Sequence, residues 1–217
     1  MKGLNKFLIF ISILVITCMA GCKKNEFEDY KYLDDNKHVF EKVDYEQLLE
    51  IINSDEGSII YFGGSWCINC QAAIPFINEV AKMMYIDKIY NFDTKIDFNG
   101  DVRDIRRCNT DEDVLMWSSI VNSIEFSSGS VVMKDDKEVV DKNGMTVSTM
   151  AVPTLVVIKE GKVVTSLTKE GFYNPETHTL WDSNTFDGND ITASYKTELM
   201  SLFTVYDGCT NNECAAN

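Results

Sequence analysis

A Cys-x-x-Cys motif, with an apolar run before it and a helix-like run after it, constrains the fold of this chain more than any other feature. The two thiols are Cys67 and Cys70. Residues 59–62 are typical of a buried strand, and residues 71–77 of a helix. If the helix begins at Cys67, its unpaired N–H groups and positive dipole end stabilise a thiolate there. Because the thiolate is the nucleophile in disulfide exchange, the motif predicts that Cys67 attacks and Cys70 resolves.

Residues 1–21 are typical of a bacterial export signal. Lys2 and Lys6 precede an uncharged apolar run over 7–19 that is short for a membrane span. The following Met-Ala-Gly-Cys resembles a lipoprotein lipobox, which would make Cys22 the lipidated N-terminus of an extracytoplasmic protein anchored in the cell membrane. The alternatives are an ordinary cleaved signal or an uncleaved anchor, with Cys22 incidental.

The chain is strongly acidic, with a formal net charge of −14 at pH 7. Loss of residues 1–21 would remove two lysines and no acid, so the mature protein would be more acidic still. This charge argues against binding to nucleic acid or to anionic lipid headgroups. We interpret the excess of acid as a solvated surface.

Three regions are predicted after the signal. Residues 22–37 are polar and predicted to form a tether that carries the lipidated cysteine. Residues 38–206 form one domain, and residues 207–217 form a C-terminal tail. Residues 126–150 are difficult to assign, and residues 171–190 are predicted to be a polar loop.

Periodicity predicts a mixed α/β sheet flanked by helices on both faces. The predicted strands are 39–43, 58–62, 89–93, 154–158 and 162–167. The predicted helices are one capped by Asp44 with Gln47, then 67–84, 111–124 and 192–206. A helical insertion over about 98–148 separates the helix at the dithiol from the final hairpin. The core candidates on its helix are Val114, Leu115, Trp117, Ile120 and Val121.

Over residues 38–206 the chain resembles the thioredoxin-like superfamily. Residues 66–70 have the family's Trp-Cys-x-x-Cys form. Pro75 falls where the family's active-site helix is kinked, and residues 151–157 resemble its cis-proline segment. The long gap between Cys70 and Pro153 is similar to that of membrane-anchored extracytoplasmic members of the TlpA/ResA type. It also resembles that of the lipoprotein accessory thioredoxins found beside bacteriocin secretion systems.

The resemblance implies a thiol–disulfide oxidoreductase with no cofactor beyond a redox-active Cys67–Cys70 disulfide. It also implies a substrate site formed by Trp66, Val152 and Pro153, in which Val152 pairs with the substrate backbone. Its partners would be thiols or disulfides of exported proteins, with a membrane thiol protein as electron donor or acceptor.

Two departures from the family bear on the chemistry. The Gly-Pro between the cysteines is Ile68-Asn69 here, so the redox potential does not carry over. Tyr61 stands where thioredoxin has a buried acid, so another acid or water must accept the proton of the resolving thiol. Asp93, at the end of a predicted strand, is a candidate for proton transfer.

The other cysteines and the histidines each leave alternatives open. Cys209 and Cys214 are predicted to form a small structural disulfide, with a second redox pair as the alternative. Cys108 is either an inert thiol or a thiolate favoured by the two arginines that precede it. No metal site is predicted, and His38 and His178 are expected at the surface.

A second functional hypothesis is a redox-inactive thioredoxin-like lipoprotein that binds a secreted peptide or a transporter. In that case the Cys-x-x-Cys pair is structural, or is half of a zinc site. The sequence does not distinguish oxidase, reductase and isomerase, since small shifts in potential separate them.

Overall fold

The computed structural model of the chain describes residues 27–33, 37–174, 176–177, 179–181 and 186–210. The predicted export signal, Cys22, His178, Cys214 and the side chain of Cys209 lie outside the described part, so the lipid anchor and the C-terminal disulfide stay predictions. Within the described ranges, no helix is both long enough and apolar enough to cross a membrane.

The described chain contains eleven strands and four α-helices. The strands are β1 (Phe40–Lys42), β2 (Ser58–Phe62), β3 (Ile89–Phe92), β4 (Lys95–Phe98), β5 (Asp101–Asp104), β6 (Met133–Lys134), β7 (Lys137–Glu138), β8 (Thr154–Lys159), β9 (Lys162–Thr168), β10 (Tyr173–Asn174) and β11 (Thr179–Leu180). The helices are α1 (Tyr45–Ile52), α2 (Ile68–Met83), α3 (Asp111–Ser123) and α4 (Phe186–Thr210), with a 3-10 turn at Ile105–Arg107.

The central sheet has the strand order β1-β3-β2-β8-β9. Strand β3 pairs in parallel with β1 and with β2, whereas β8 pairs antiparallel with β2 and with β9. All five residues of β2 are buried and so are five of the six in β8, because both faces of these inner strands are covered. The predicted fold class, a thioredoxin-like mixed sheet flanked by helices, is confirmed.

The helix starts follow local capping signals. Asp44 caps α1 and forms a capping box with Gln47, as predicted. Thr110 caps α3 in the same way with Asp113. Cys67 is the N-cap of α2, and Pro75 lies inside that helix.

The buried face of α3 includes fewer residues than the sequence predicts. Trp117, Ile120 and Val121 are buried and Val114 packs against the core, but Leu115 is 52% exposed. Residues 117, 120, 121 and 124 form one stripe at helical spacing, and position 115 lies on the opposite side of the helix from Trp117. The assignment of Leu115 to the core was wrong.

The insertion over 98–148 is less helical than predicted. Besides α3, it includes strand β5 and the short β6–β7 hairpin, and residues 126–150 form an irregular β-structure that buries Val132, Val139 and Val147. The β4–β5 hairpin turns at Asn99-Gly100, a dipeptide that is itself a hairpin signal.

Helix α4 begins earlier and ends later than the predicted 192–206. Gly188, Asn189 and Asp190 are weak helix formers and argued for a loop, yet the helix includes them. Tyr195, Leu199 and Phe203 recur at helical spacing and are buried, and this packing outweighs the propensity. The predicted loop over 171–190 also contains the β10–β11 pair, and the predicted tail from 207 begins within the helix.

The described part of the predicted tether, residues 27–33, packs against the domain. Phe27 and Tyr30 are 3% and 6% exposed, and Phe27 contacts the His38 ring at a centroid distance of 4.5 Å. The Lys31 N–H donates to Gln71 Oε1 over 2.8 Å, and Gln71 Nε2 donates to the Asp29 carbonyl over 2.9 Å. Two buried aromatic rings, three residues apart, therefore hold this otherwise polar segment on the domain, and its backbone hydrogen bonds to Gln71 join it to the helix of the dithiol.

Candidate active site

The dithiol lies where β2 ends and α2 begins. Cys67 is partly exposed, whereas Cys70 is fully buried one helical turn later. The Cys70 N–H donates to Cys67 Sγ over 3.4 Å, and Cys67, when protonated, donates to the Val152 carbonyl over 3.6 Å. The two cysteines are free thiols, so the site is described in its reduced form.

The two thiols ionise very differently. Hydrogen bonding with the Cys70 side chain, assisted by the N–H groups of Cys70 and Asn69 and by the charge of Arg106, lowers the pKa of Cys67 to about 6. Burial, followed by the proximity of Cys67, raises the pKa of Cys70 well above its ordinary value. At neutral pH the partly exposed sulfur is therefore a thiolate and the buried sulfur keeps its proton.

The loop before β8 closes one side of the dithiol. The Val152–Pro153 peptide bond is cis, as the resemblance implies. The Val152 side chain is 7% exposed, so its carbonyl, rather than its side chain, faces the thiol of Cys67.

Trp66 is 38% exposed beside the dithiol and is held from several directions. Its Nε1 donates to Asp93 Oδ1 over 2.8 Å. Lys95 Nζ lies 4.3 Å from its ring centroid, and the Arg106 guanidinium carbon lies 5.6 Å from it. Asp93, whose pKa is raised mainly by burial, also accepts the Lys95 N–H over 2.9 Å. Asp93 therefore acts here as the anchor of Trp66.

Arg106 connects the insertion to the site. Its Nε and Nη2 donate to the two Asp104 carboxylate oxygens over 2.9 and 2.7 Å. Its Nη1 donates to the Met150 carbonyl over 2.7 Å, two residues before Val152. In the sequence, Arg106 stands out only as a neighbour of Cys108. No local sequence signal indicates that Arg106 lies near Trp66. The contact between them depends on the β4–β5 hairpin and on the hydrogen bond to Met150, which is distant in sequence.

Tyrosines from three parts of the chain lie near Cys70. Tyr61 is fully buried, and its hydroxyl and the Cys70 sulfur both lie beside Gly63. Tyr30 donates to the Gly63 carbonyl over 3.4 Å, and Tyr195 is buried on α4. Charge on Cys70 would raise the pKa of all three phenols, which burial already raises.

The remaining predicted site residues lie apart from this chemistry. Cys108 is fully buried, and burial raises its pKa to about 11, which favours the interpretation of an inert thiol. His38 is half-buried between Phe27 and Phe40, and burial lowers its pKa. Within the described ranges, no group of three or more His, Cys, Asp and Glu side chains is arranged to hold a metal ion.

Comparisons with known proteins give only distant likenesses. No family model matches the chain, and no curated protein matches it. Among solved structures, thioredoxin from Trypanosoma brucei brucei aligns at 13% identity and a TM-score of 0.38, covering 79% of this chain and 96% of that one. Thioredoxin O2 from Arabidopsis thaliana in its oxidised state aligns at 14% identity and 0.34, covering 62% and 85%.

Thioredoxin from Malassezia sympodialis aligns at 15% identity and a TM-score of 0.33, covering 74% of this chain and 90% of that one. The fold of the chain is a thioredoxin-like mixed sheet flanked by helices, as its own strand order and strand directions show.

Proposed function

We propose that the protein is a thiol–disulfide oxidoreductase in which Cys67 is the nucleophile and Cys70 the resolving thiol. The observation that carries the proposal is the placement of two thiols one helical turn apart, one partly exposed at the N-cap of α2 and the other buried. Cys67 is partly exposed with a pKa near 6, and Cys70 is buried and protonated. A structural pair of cysteines needs no such difference, whereas disulfide exchange requires one thiolate that substrate can reach.

The reaction proceeds through a mixed disulfide. The Cys67 thiolate attacks one sulfur of a substrate disulfide, and the other substrate sulfur leaves as a thiolate. The Cys70 sulfur then attacks Cys67 Sγ, which forms the Cys67–Cys70 disulfide and releases the second substrate thiol. The substrate gains two electrons and the dithiol loses two. In the reverse direction the same steps oxidise a substrate dithiol.

Substrate binds, in this proposal, beside the exposed ring of Trp66 and next to the buried Val152–Pro153 segment. Ile68 adds an apolar side chain that is 45% exposed next to the partly exposed thiol. An extended peptide segment could place its sulfur at Cys67 against this surface.

We place the protein outside the cytoplasm, anchored to the cell membrane through lipid on Cys22 and acting on exported proteins. The charged start, apolar run and lipobox-like residues over 1–22 support this location. A membrane thiol protein would supply or remove electrons. If mass spectrometry of the protein from the membrane fraction finds Cys22 without lipid, the proposed lipid anchor is wrong.

A cavity between α2 and α4 gives the binding-module alternative some support. It has a volume of about 390 Å³, and its apolar lining includes Phe76, Phe172 and Trp181. If binding is the function, a peptide partner will bind equally well when both Cys67 and Cys70 are replaced.

Single-cysteine variants test the oxidoreductase directly. Cys67→Ser should abolish reduction of a protein disulfide, and Cys70→Ser should trap a mixed disulfide on Cys67, detectable by non-reducing electrophoresis and mass spectrometry. Cys108→Ala is the matched control and should retain activity. Full activity in Cys67→Ser would rule the proposal out.

A further inference from the structure

The hydroxyl of Tyr61 is buried without a hydrogen-bond partner in the described part of the chain. Tyr61 is 0% exposed, and its Oη finds no well-aligned hydrogen-bond partner in the described structure. Leaving a buried hydroxyl in this state opposes folding, and its replacement by a ring without the hydroxyl would remove the cost. Because the Tyr61 hydroxyl does not stabilise the reduced protein, we expect it to have another role.

The neighbour of this hydroxyl is the resolving thiol. A β-carbon added to Gly63 would lie 2.8 Å from Cys70 Sγ and 3.0 Å from Tyr61 Oη, so the two groups border the same small space above the glycine. Cys70 is fully buried, and a thiolate there has little access to water. A hydrogen-bond donor at this place is oriented before the sulfur acquires charge.

We propose that the Tyr61 hydroxyl donates a hydrogen bond to Cys70 Sγ while that sulfur attacks the mixed disulfide, which makes Tyr61 a catalytic residue of the resolving step. This inference rests on the proposed oxidoreductase function. The neutral phenol donates and does not accept a proton, because burial holds the pKa of Tyr61 well above its ordinary value.

The step balances without a further reactant. Cys70 loses its proton, its sulfur bonds to Cys67 Sγ, and the bond from Cys67 Sγ to the substrate sulfur breaks. The substrate sulfur leaves with the electron pair and receives the proton that Cys70 released. The Tyr61 proton stays on its oxygen throughout.

The other titratable groups that face Cys70 are Cys67, Tyr30 and Tyr195. The Tyr30 hydroxyl donates to the Gly63 carbonyl, and Tyr195 is buried on α4 with no hydrogen bond to Cys70 in the described structure. Tyr195→Phe is therefore a matched control, because it removes a second buried hydroxyl that does not hydrogen-bond with the resolving sulfur.

The test follows the two steps separately in the reduced full-length protein with glutathione disulfide as substrate. Peptide mass spectrometry of quenched samples measures Cys67 bound to glutathione and the Cys67–Cys70 disulfide over time. Tyr61→Phe should slow resolution about 10-fold or more, as expected for loss of a hydrogen bond to a charged group, so that glutathionylated Cys67 accumulates. The first step, measured in a Cys70→Ser background, should not change.

Two further measurements distinguish chemistry from structure. Tyr195→Phe should resolve at nearly the wild-type rate, and Tyr61→Phe should not lower the urea midpoint of the reduced protein. Wild-type resolution by Tyr61→Phe, equal slowing of both steps, or equal slowing by Tyr195→Phe would each overturn the inference. If neither wild type nor Cys70→Ser forms a mixed disulfide at Cys67, the oxidoreductase proposal fails, and the inference with it.

Discussion

At the scale of single residues, a difference in environment over one helical turn gives the two cysteines different chemistry. Cys67 is the N-cap of α2. Its sulfur accepts the Cys70 N–H, one of the first N–H groups of the helix, which have no carbonyl partner within the helix. Cys70 faces the interior beneath it, where water cannot solvate a charge. The low pKa of the first thiol and the high pKa of the second thus follow from their positions on the helix.

The pH dependence of Cys67 alkylation tests this account. The thiolate fraction rises as pH increases through the pKa, so the iodoacetamide rate at Cys67 should reach half its maximum near pH 6. Peptide mass spectrometry provides the rate for each cysteine. Cys108 is the internal control and should remain unlabelled in the folded protein at pH 8. A midpoint at the ordinary thiol value of about 8.5 would contradict the assigned environment.

Arg106→Gln should raise the pKa of Cys67, because it removes a positive charge that stabilises the thiolate. The alkylation rate at pH 6 should fall by roughly two-fold or more, while the plateau rate at high pH should change little. Arg107→Gln is the matched control, since that side chain is 72% exposed. Equal effects of the two variants would show that net charge, and not the position of Arg106, matters.

At the scale of helices and strands, elements with a long periodic pattern or a local capping signal could be predicted from the sequence. The start of α2, the Asp44 capping box and the β8–β9 hairpin depend on neighbours within a few residues. The start of α4 could not be predicted in this way, because burial of Tyr195 and Leu199 overrides poor helix formers. The β4–β5 hairpin lies where the sequence predicts the start of a helical insertion, although its Asn99-Gly100 turn is a local hairpin signal.

The packed segment over 27–33 makes a prediction at this scale. Phe27→Ala should lower the free energy of unfolding by about 3 kcal/mol, because it removes a buried ring from the core. Tyr32→Ala, at a side chain that is 51% exposed, should change it by no more than about 0.5 kcal/mol. Urea denaturation measures both values. A loose tether would give the small value for both variants.

At the scale of the whole molecule, the sheet order explains why the site could be only half predicted. The spacing of Cys67 and Cys70 places both thiols on one helix, so sequence alone indicated them. The contributions of Arg106, Tyr30 and Tyr195 depend on three distant segments that meet at the end of β2. No sequence periodicity within those segments indicates that they contact one another.

The central claim is that Cys67 and Cys70 form a reversible redox pair, and the reduction potential tests it most directly. The full-length protein is equilibrated in glutathione or dithiothreitol buffers, with Trp66 fluorescence as the reporter and Cys70→Ser as the control. The account predicts a two-electron transition between about −120 mV, typical of a disulfide donor, and about −270 mV, typical of a reductase. A potential below about −300 mV, or no exchange, would identify a structural disulfide and contradict the account.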